Sequence, residues 1–370
     1  MPSAPAPSLD PSRGGSRMRI LAYEHFTATS GPATASLRAE GGAMLRALVT
    51  DLVRAGHEVT TVTATDTPRL VRSALRRAGA RLQTAHAAGE PRGFGRLLRE
   101  VEAAWIVAPE TGGCLESLAR AARAAGVRLL GSSPEGIASA ASKLRTFEAL
   151  RAAGVRAVPT RVIEISGGVP PLPDGGGWWP PLVAKPDDGV GGERMVLVGR
   201  RNDLARAAIV AGGSGRAVLQ PWIEGAPASV SVLVGPRTAL PLAVQSQRIE
   251  LAPAFRYAGG DVPLDSPFAE DALELAAAAC RAIPGLAGYV GVDLVLTPNG
   301  PLVVEVNPRL TTSYLGLRRV FRENVAELAL RVLDGESPQP PRAVRRVRFD
   351  PTGRVVVSGS RAGAARIPRS

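Results

Sequence analysis

The run VDLVLTPNGPLVVEVNPRL, residues 292–310, brings two carboxylates and an amide into position to act together. Asp293 lies on a first apolar stretch, and Glu305 and Asn307 lie on a second, with a Pro-Asn-Gly turn between them. Residues two apart on an extended strand face the same side, so Glu305 and Asn307 share a face, and a hairpin brings Asp293 opposite them. Two carboxylates and an amide oxygen make a hard, all-oxygen site, suited to Mg2+ held jointly with nucleotide phosphates.

A second stretch, VAKPDDGVGGERM at 183–195, supplies positive charge. Of the 45 basic side chains only two are lysine, Lys143 and Lys185. Lys185 ends an apolar run just before Gly189, Gly191 and Gly192. Such glycines let backbone N–H groups approach phosphates. A lysine, as a compact point charge on a flexible stem, suits a phosphate oxygen where an arginine fork would need more room.

The elements that must carry these residues follow from periodicity. MRILAYE, HEVTTVTA, AAWIVAPE and VRLLG read as strands. EGGAMLRALVTDLVRAGH and LESLARAARAAG read as helices between them. This β-α-β rhythm predicts a doubly wound parallel sheet over 18–132. No GxGxxG follows the first strand, so a substrate is expected there rather than a dinucleotide. SKLRTFEALRAAG is a helix capped by Ser142 and stopped at Gly154.

Further strands are VPTRVIEI, PLVAKP, RMVLVG, RAVLQPWIEG, ASVSVLVG and ALPLAVQSQRIEL, with the two strands of the 292–310 hairpin. NDLARAAIVAGG and SPFAEDALELAAAACRAI are helices, and LRRVFRENVAELALRVLDG is expected as one helix closing at Gly335. SGGVPPLPDGGGWWPP must be a loop. RVRFDPTGRVVVSG is expected as a hairpin turning on DPTG.

Composition narrows the function. Apolar residues make up 45% and charged residues 21% of the 370, a soluble globular balance. The net charge of +12 resides mostly at the two ends, leaving no basic stripe with interleaved aromatics, so no nucleic-acid partner is expected. No apolar run has transmembrane length and MPSAPAPSLDPSRGGSR has no apolar signal core, so a cytoplasmic protein with no membrane partner is expected. Cys114 and Cys280, and His25, His57 and His86, match no metal or redox spacing.

In their order and spacing, Lys143, AKPDDGVGGERM, LQPWIEG, GVDLVL and VEVNPR resemble the ATP-grasp carboxylate–amine ligases, over residues 18–333. The resemblance implies an α/β protein, with an N-terminal Rossmann-like (pre-ATP-grasp) parallel sheet followed by a two-lobed ATP-grasp α+β domain. The expected divisions are a disordered segment 1–17, the first domain 18–132, a central lobe 133–219, a C-terminal lobe 220–334 and a basic tail 335–370. It implies that Lys143 and Lys185 contact the α- and β-phosphates of ATP, with the glycine loop over them. It implies an adenine hinge at Gln220, Trp222 and Ile223, ribose binding by Glu224, and Mg2+ (Mn2+ as a substitute) on Asp293, Glu305 and Asn307. Arg309 and Arg248 would meet an acyl-phosphate.

LTTSYLGLR after VEVNPR, and YEHFT at the first strand, resemble the tyramine–L-glutamate ligase group of methanofuran biosynthesis. That implies an amino acid and an amine as small-molecule substrates, with Thr311, Thr312, Ser313 and Tyr314 beside the acceptor; a homodimer is expected. Three alternatives stay open. One is another ATP-grasp ligase for an amino acid, a peptide or a polyglutamate chain. The others are a nucleotide-binding regulatory subunit without turnover, and a nucleic-acid binder through the tail.

Overall fold

A computed structural model describes residues 17–31, 33–85, 91–164, 180–188, 194–200, 203–212, 216–250 and 255–358. Residues 1–16, most of the SGGVPPLPDGGGWWPP loop, Gly189, Gly191, Gly192 and His86 lie outside these.

The first layer is a five-stranded parallel sheet of order β3-β2-β1-β4-β5. Its strands are β1 (Arg19–Glu24), β2 (Glu58–Ala64), β3 (Arg81–Ala85), β4 (Ala103–Val107) and β5 (Arg128–Leu129). RILAYE and AAWIV are buried almost throughout, because a parallel sheet covered by helices has no wet face. The helices are α1 (His25–Ala28), α2 (Ala35–Arg54), α3 (Arg69–Arg77), α4 (Pro91–Leu98) and α5 (Cys114–Ala124). Thr34 caps α2 by accepting from Leu37 N, and Gly56, at φ 90°, lets the chain leave the helix. The sequence periodicity had not singled out α1, α3, β3 or α4. They are short, and α3 carries arginine at four of its nine positions.

Helices α6 (Pro134–Ala141) and α7 (Lys143–Ala152) lead into the central lobe. Here β6 (Arg161–Glu164), β7 (Leu182–Pro186), β8 (Val196–Val198) and β9 (Arg216–Pro221) form an antiparallel sheet of order β6-β9-β7-β8, packed on α8 (Leu204–Gly212). A third sheet, order β11-β10-β15-β16, comprises β10 (Ala226–Val234), β11 (Ala239–Ser246), β15 (Gly288–Thr297) and β16 (Gly300–Asn307). Helix α9 (Ala269–Ala282) packs on it through Ala272, Ala276 and Ala279. The stretch expected as one strand, ALPLAVQSQRIEL, divides. β11 stops at Ser246, Gln247 N donates to Pro227 O, and β12 (Ile249–Glu250) pairs with β13 (Arg256–Tyr257) as a separate ribbon.

LRRVFRENVAELALRVLDG is likewise two helices, α10 (Tyr314–Val320) and α11 (Val325–Leu333). Asn324 makes the break: its Oδ1 accepts from Ala326 N and Glu327 N, while its Nδ2 donates to Asp51 O of α2. A cap tied to a tertiary partner overrides continuous helical periodicity. The tail hairpin forms as expected: β17 (Arg346–Phe349) and β18 (Val355–Ser358) turn on Asp350, whose carboxylate accepts from Thr352 N and Arg354 N. It docks on β14 (Gly260–Val262), giving a sheet of order β14-β17-β18.

Helix α2 and the C-terminal helices share one core, with Leu45, Leu48 and Leu52 in the same buried cluster as Tyr314, Leu317 and Leu328. Inside it the Asp51 carboxylate accepts from Arg318 Nε and Tyr314 OH, each at 2.7 Å. Removing one member of such a buried pair strands the other charge. Asp51→Ala is therefore expected to destabilise the fold by about 3–5 kcal/mol in urea unfolding, whereas an exposed pair such as Arg120–Glu116 costs about 1 kcal/mol or less.

Candidate nucleotide and acyl-transfer site

The hairpin of β15 and β16 sets Asp293 directly opposite Glu305, and Gly291 opposite Asn307. The register slips between Asp293 and Leu294, so that Val304 of β16 has no partner. A bulge of this kind re-aims neighbouring side chains and is common beside functional sites. Val303 and Val306 stay in the core while Glu305 and Asn307 face the space between the lobes.

Two cations close on Glu305. Lys143 Nζ lies 3.7 Å and Lys185 Nζ 3.9 Å from its Oε2, and both lysines are buried. Asp187, two residues beyond Lys185, fixes their separation. Its carboxylate accepts from Ser142 Oγ (2.8 Å) and Leu144 N (3.0 Å), and its carbonyl accepts from Lys143 N and Lys143 Nζ. The N-terminus of α7 is thereby tied to the end of β7. Asp188 ties the same turn to the first domain, accepting from Gly112 N and Thr111 Oγ1.

The two carboxylates differ in charge state. Burial, the Glu305 charge and the contact between the two groups raise the Asp293 carboxyl well above its ordinary value. Burial also works to raise Glu305, but Lys143, Lys185 and the neighbouring Asp293 outweigh it and keep Glu305 ionised. Burial pulls the Lys185 ammonium down to about 8, with Glu305 opposing the fall and Lys143 adding to it. Asp293 is further held by Gln247 Nε2 at 2.7 Å and Asn307 Nδ2 at 3.1 Å. Among the described residues no three His, Cys, Asp or Glu side chains gather as a metal cluster.

Arg309 reaches the other way. Its Nε and Nη2 donate to the two oxygens of Glu110, at 3.0 and 3.1 Å, from the loop after β4. Burial opposes its charge, but Glu110, Glu40 and Glu305 more than compensate. Glu24 and Glu40 complete this side: Glu24 accepts from Phe26 N and Thr27 N, and Glu40 contacts Thr312 Oγ1. Glu24 and Glu110 stand at the carboxyl ends of parallel strands, where open α/β sheets bind ligands.

The remaining expected residues divide. Gln220 lies on the Lys185 face of its sheet, but its Nε2 donates to Thr160 Oγ1. Trp222 N donates to Pro181 O, Ile223 is half-buried and Glu224 is exposed. Arg248 is not drawn to the carboxylate pair. Its Nη2 donates to Ala258 O and Phe349 O, and its Nη1 lies 3.5 Å from Asp261. Thr311 and Ser313 join a buried hydroxyl network with Ser231 and Tyr289. Sequence reasoning missed Asp187, Gln247, Glu24, Glu40 and Glu110. For two of these a signal existed: Asp187 in the KPDD turn itself, and Glu110 at the end of a strand read as AAWIVAPE. Burial holds the Cys114 thiol at about 11 and Cys280 at about 12, so neither offers a thiolate nucleophile.

The two lobes thus bring two ammonium groups, an oxygen-ligand pair and a guanidinium around one space, the chemistry of a polyphosphate held with a divalent cation. Sequence comparison agrees. A pre-ATP-grasp domain matches residues 59–137 and an ATP-grasp domain matches residues 140–313. The chain is 28% identical over 236 residues to a tyramine–L-glutamate ligase of Methanocaldococcus jannaschii, a match covering 64% of this chain and 64% of that protein. A crystal structure assigned to the ATP-grasp superfamily, from Archaeoglobus fulgidus, superposes with a TM-score of 0.67 at 26% identity, covering 90% of this chain and 92% of that one. An N5-carboxyaminoimidazole synthetase from Staphylococcus aureus, solved with ADP, shares the fold at 14% identity with a TM-score of 0.68, covering 90% and 82%. The chain thus carries a pre-ATP-grasp and an ATP-grasp domain and shares their fold.

Burial raises Glu24 to about 7, against the hydrogen bonds from Thr27 and Phe26 and the charge of Arg309. The folded chain therefore keeps a proton that the unfolded chain loses near 4.5, and stability falls as pH rises from about 4.5 to about 7. Urea unfolding across that window is expected to show a smaller loss in Glu24→Gln than in wild type, the remainder coming from the raised Asp293 and Glu40 carboxyls.

Proposed function

We propose that the protein is an ATP-dependent ligase that joins a carboxylate to an amine through an acyl-phosphate. The observation that carries this is Glu305 set between the buried Lys143 and Lys185, with Asp293 and Asn307 beside it. The oxygen donors of Asp293, Glu305 and Asn307 fit Mg2+ by number and hardness. When bound, the ion would neutralise charge on the phosphoryl oxygens.

The chain's own groups do the rest. Lys143 and Lys185 neutralise phosphate oxygens from fixed positions. Gln220, Trp222, Ile223 and Glu224 border the nucleoside, with Gly189, Gly191 and Gly192 as the loop over the phosphates. The substrate carboxylate attacks the γ-phosphorus and ADP leaves. The amine then attacks the acyl carbon, the tetrahedral adduct loses its proton, and phosphate departs. Arg309, fixed by Glu110, is the cation for the developing charge, and Arg248 contributes from the neighbouring ribbon. Positioning and charge neutralisation account for such catalysis without a protein nucleophile.

The name of the M. jannaschii relative, a tyramine–L-glutamate ligase, supports L-glutamate as the donor and tyramine as the acceptor. Reaction through the γ-carboxylate, a tyrosine-like amine as an alternative acceptor and a place in methanofuran- or methylofuran-type cofactor biosynthesis are carried by the likeness of LTTSYLGLR and YEHFT alone. The match covers 64% of that relative, so the substrates rest on this reading alone.

The test is phosphate release with Mg·ATP and L-glutamate, with and without tyramine, then with other amines. Release requiring both substrates, with a γ-glutamyl amide by mass, supports the full reading. Release with a different pair retains the ligase and discards the substrates. Glu305→Gln is expected to lower turnover at least about 10²–10³-fold while remaining folded. Lys185→Arg is expected to be similarly impaired, because Lys185 is buried and a bulkier planar guanidinium does not replace a compact ammonium there. A near-normal rate for either variant would refute its assigned role.

A further inference from the structure

The C-terminal hairpin of β17 and β18 lies beyond the residues that match the ATP-grasp domain, yet it is built into the region around the site. Phe349, Arg348 and Val347 pair with Gly260, Asp261 and Val262 of β14. Phe349 is buried and shares a core cluster with Val347, Val262, Tyr314 and Leu317. Two glycines make room for it. A Cβ on Gly259, which has φ 95°, would strike the Phe349 carbonyl, and one on Gly316 would strike its ring. Such close approach marks a fitted interface and not a loosely attached tail.

What the hairpin touches is the segment that borders the carboxylate pair. Phe349 O accepts from Arg248 Nη2 at 3.2 Å. Asp261 receives Arg348 Nε at 2.9 Å on one oxygen and faces Arg248 Nη1 at 3.5 Å with the other. Arg248 is in turn locked to the return strand, its N donating to Gly259 O and Ala258 N donating to its carbonyl. The adjacent residue, Gln247, places its amide on Asp293 at 2.7 Å. A path therefore runs from the hairpin by hydrogen bonds to Arg248, through the peptide link to Gln247, and by a hydrogen bond to a carboxylate of the candidate cation site.

We infer that the C-terminal hairpin is a positioning element of the active site, which through Phe349 and Asp261 fixes Arg248 and the facing residues Ala258–Asp261, and with them the Gln247 amide on Asp293. This rests on the ligase reading and deepens it. Gln247 touches the cation-site carboxylate, and Phe349 and Asp261 act only through the segment they hold. A loosened segment would misplace Asp293 without altering the lysines or the nucleoside side of the cleft. Its signature is a loss in kcat and in Mg2+ dependence, with ATP recognition spared.

The test uses the full chain with Phe349→Ala and, because that change could unfold a packed core, Asp261→Asn, which keeps every backbone pair. Thermal unfolding and circular dichroism establish which variants are folded. Folded variants are expected to lose about tenfold in kcat and to need severalfold more Mg2+ for half-maximal rate, with KM for ATP within about twofold of wild type. In a Gln247→Ala background the same changes are expected to add little, since both act on one path. Folded variants with wild-type kcat and Mg2+ dependence, or losses that multiply with Gln247→Ala, would overturn the inference and leave the hairpin a stabilising appendage. Should wild type release no phosphate with any substrate pair, the ligase reading fails by itself. Calorimetry of ADP binding with and without Mg2+ then decides the hairpin's role. Weaker binding only when Mg2+ is present upholds it, and unchanged binding in both conditions sinks it.

Discussion

A carboxylate held by two buried lysines organises this protein. Glu305 stays ionised because Lys143 and Lys185 each come within 4 Å of it, and Glu305 opposes the fall that burial imposes on the Lys185 ammonium. Buried charges of this kind are retained only where partners and hydrogen bonds offset desolvation. The requirement reaches into three separate elements. The bulge in β16 must aim Glu305 outward, β7 must place Lys185 one residue before its end, and α7 must begin at Lys143. Asp187 joins the last two by capping one element from the end of the other.

The first domain supplies the constraint from the opposite side. Arg309 follows the β16 strand directly, and its fork is taken up by Glu110, 199 residues earlier in the chain. Asp51 performs the same service for Arg318 deeper in the shared core. One contact orients a guanidinium at the edge of the cleft, and the other keeps α2 against α10, so that Glu40 meets Thr312. The first domain thus brings three carboxylates, Glu24 and Glu110 from the sheet's carboxyl end and Glu40 from α2, to face Arg309. A space lined by fixed charges of both signs needs little reorganisation when charge moves during a reaction.

Much of this was legible in the residues. The parallel sheet follows from apolar runs alternating with amphipathic helices, and the Asp293–Glu305–Asn307 face follows from the two-residue period of a strand. The rarity of lysine singled out Lys143 and Lys185 before any geometry was known. Local periodicity misjudged two places, the single helix expected from Leu317 and the single strand expected through Glu250. In both, a distant residue decides the end: Asp51 O holds the capping Asn324, and the β10–β11 ladder runs out at Pro227, which accepts from Gln247 N but has no N–H to return.

By itself the sequence determined the class of elements, the pair of lysines and the oxygen-ligand face, because these depend on neighbours within a few residues or on residue type alone. Tertiary structure decided the unpaired Val304 that turns Glu305 outward, the Glu110 clamp on Arg309, and the seating of the C-terminal hairpin against Gly259 and Gly316. Each of these joins residues far apart in the chain. Contacts at such separation are selected by how whole sheets and helices pack, and no local pattern of apolar and polar residues encodes which partner will be met.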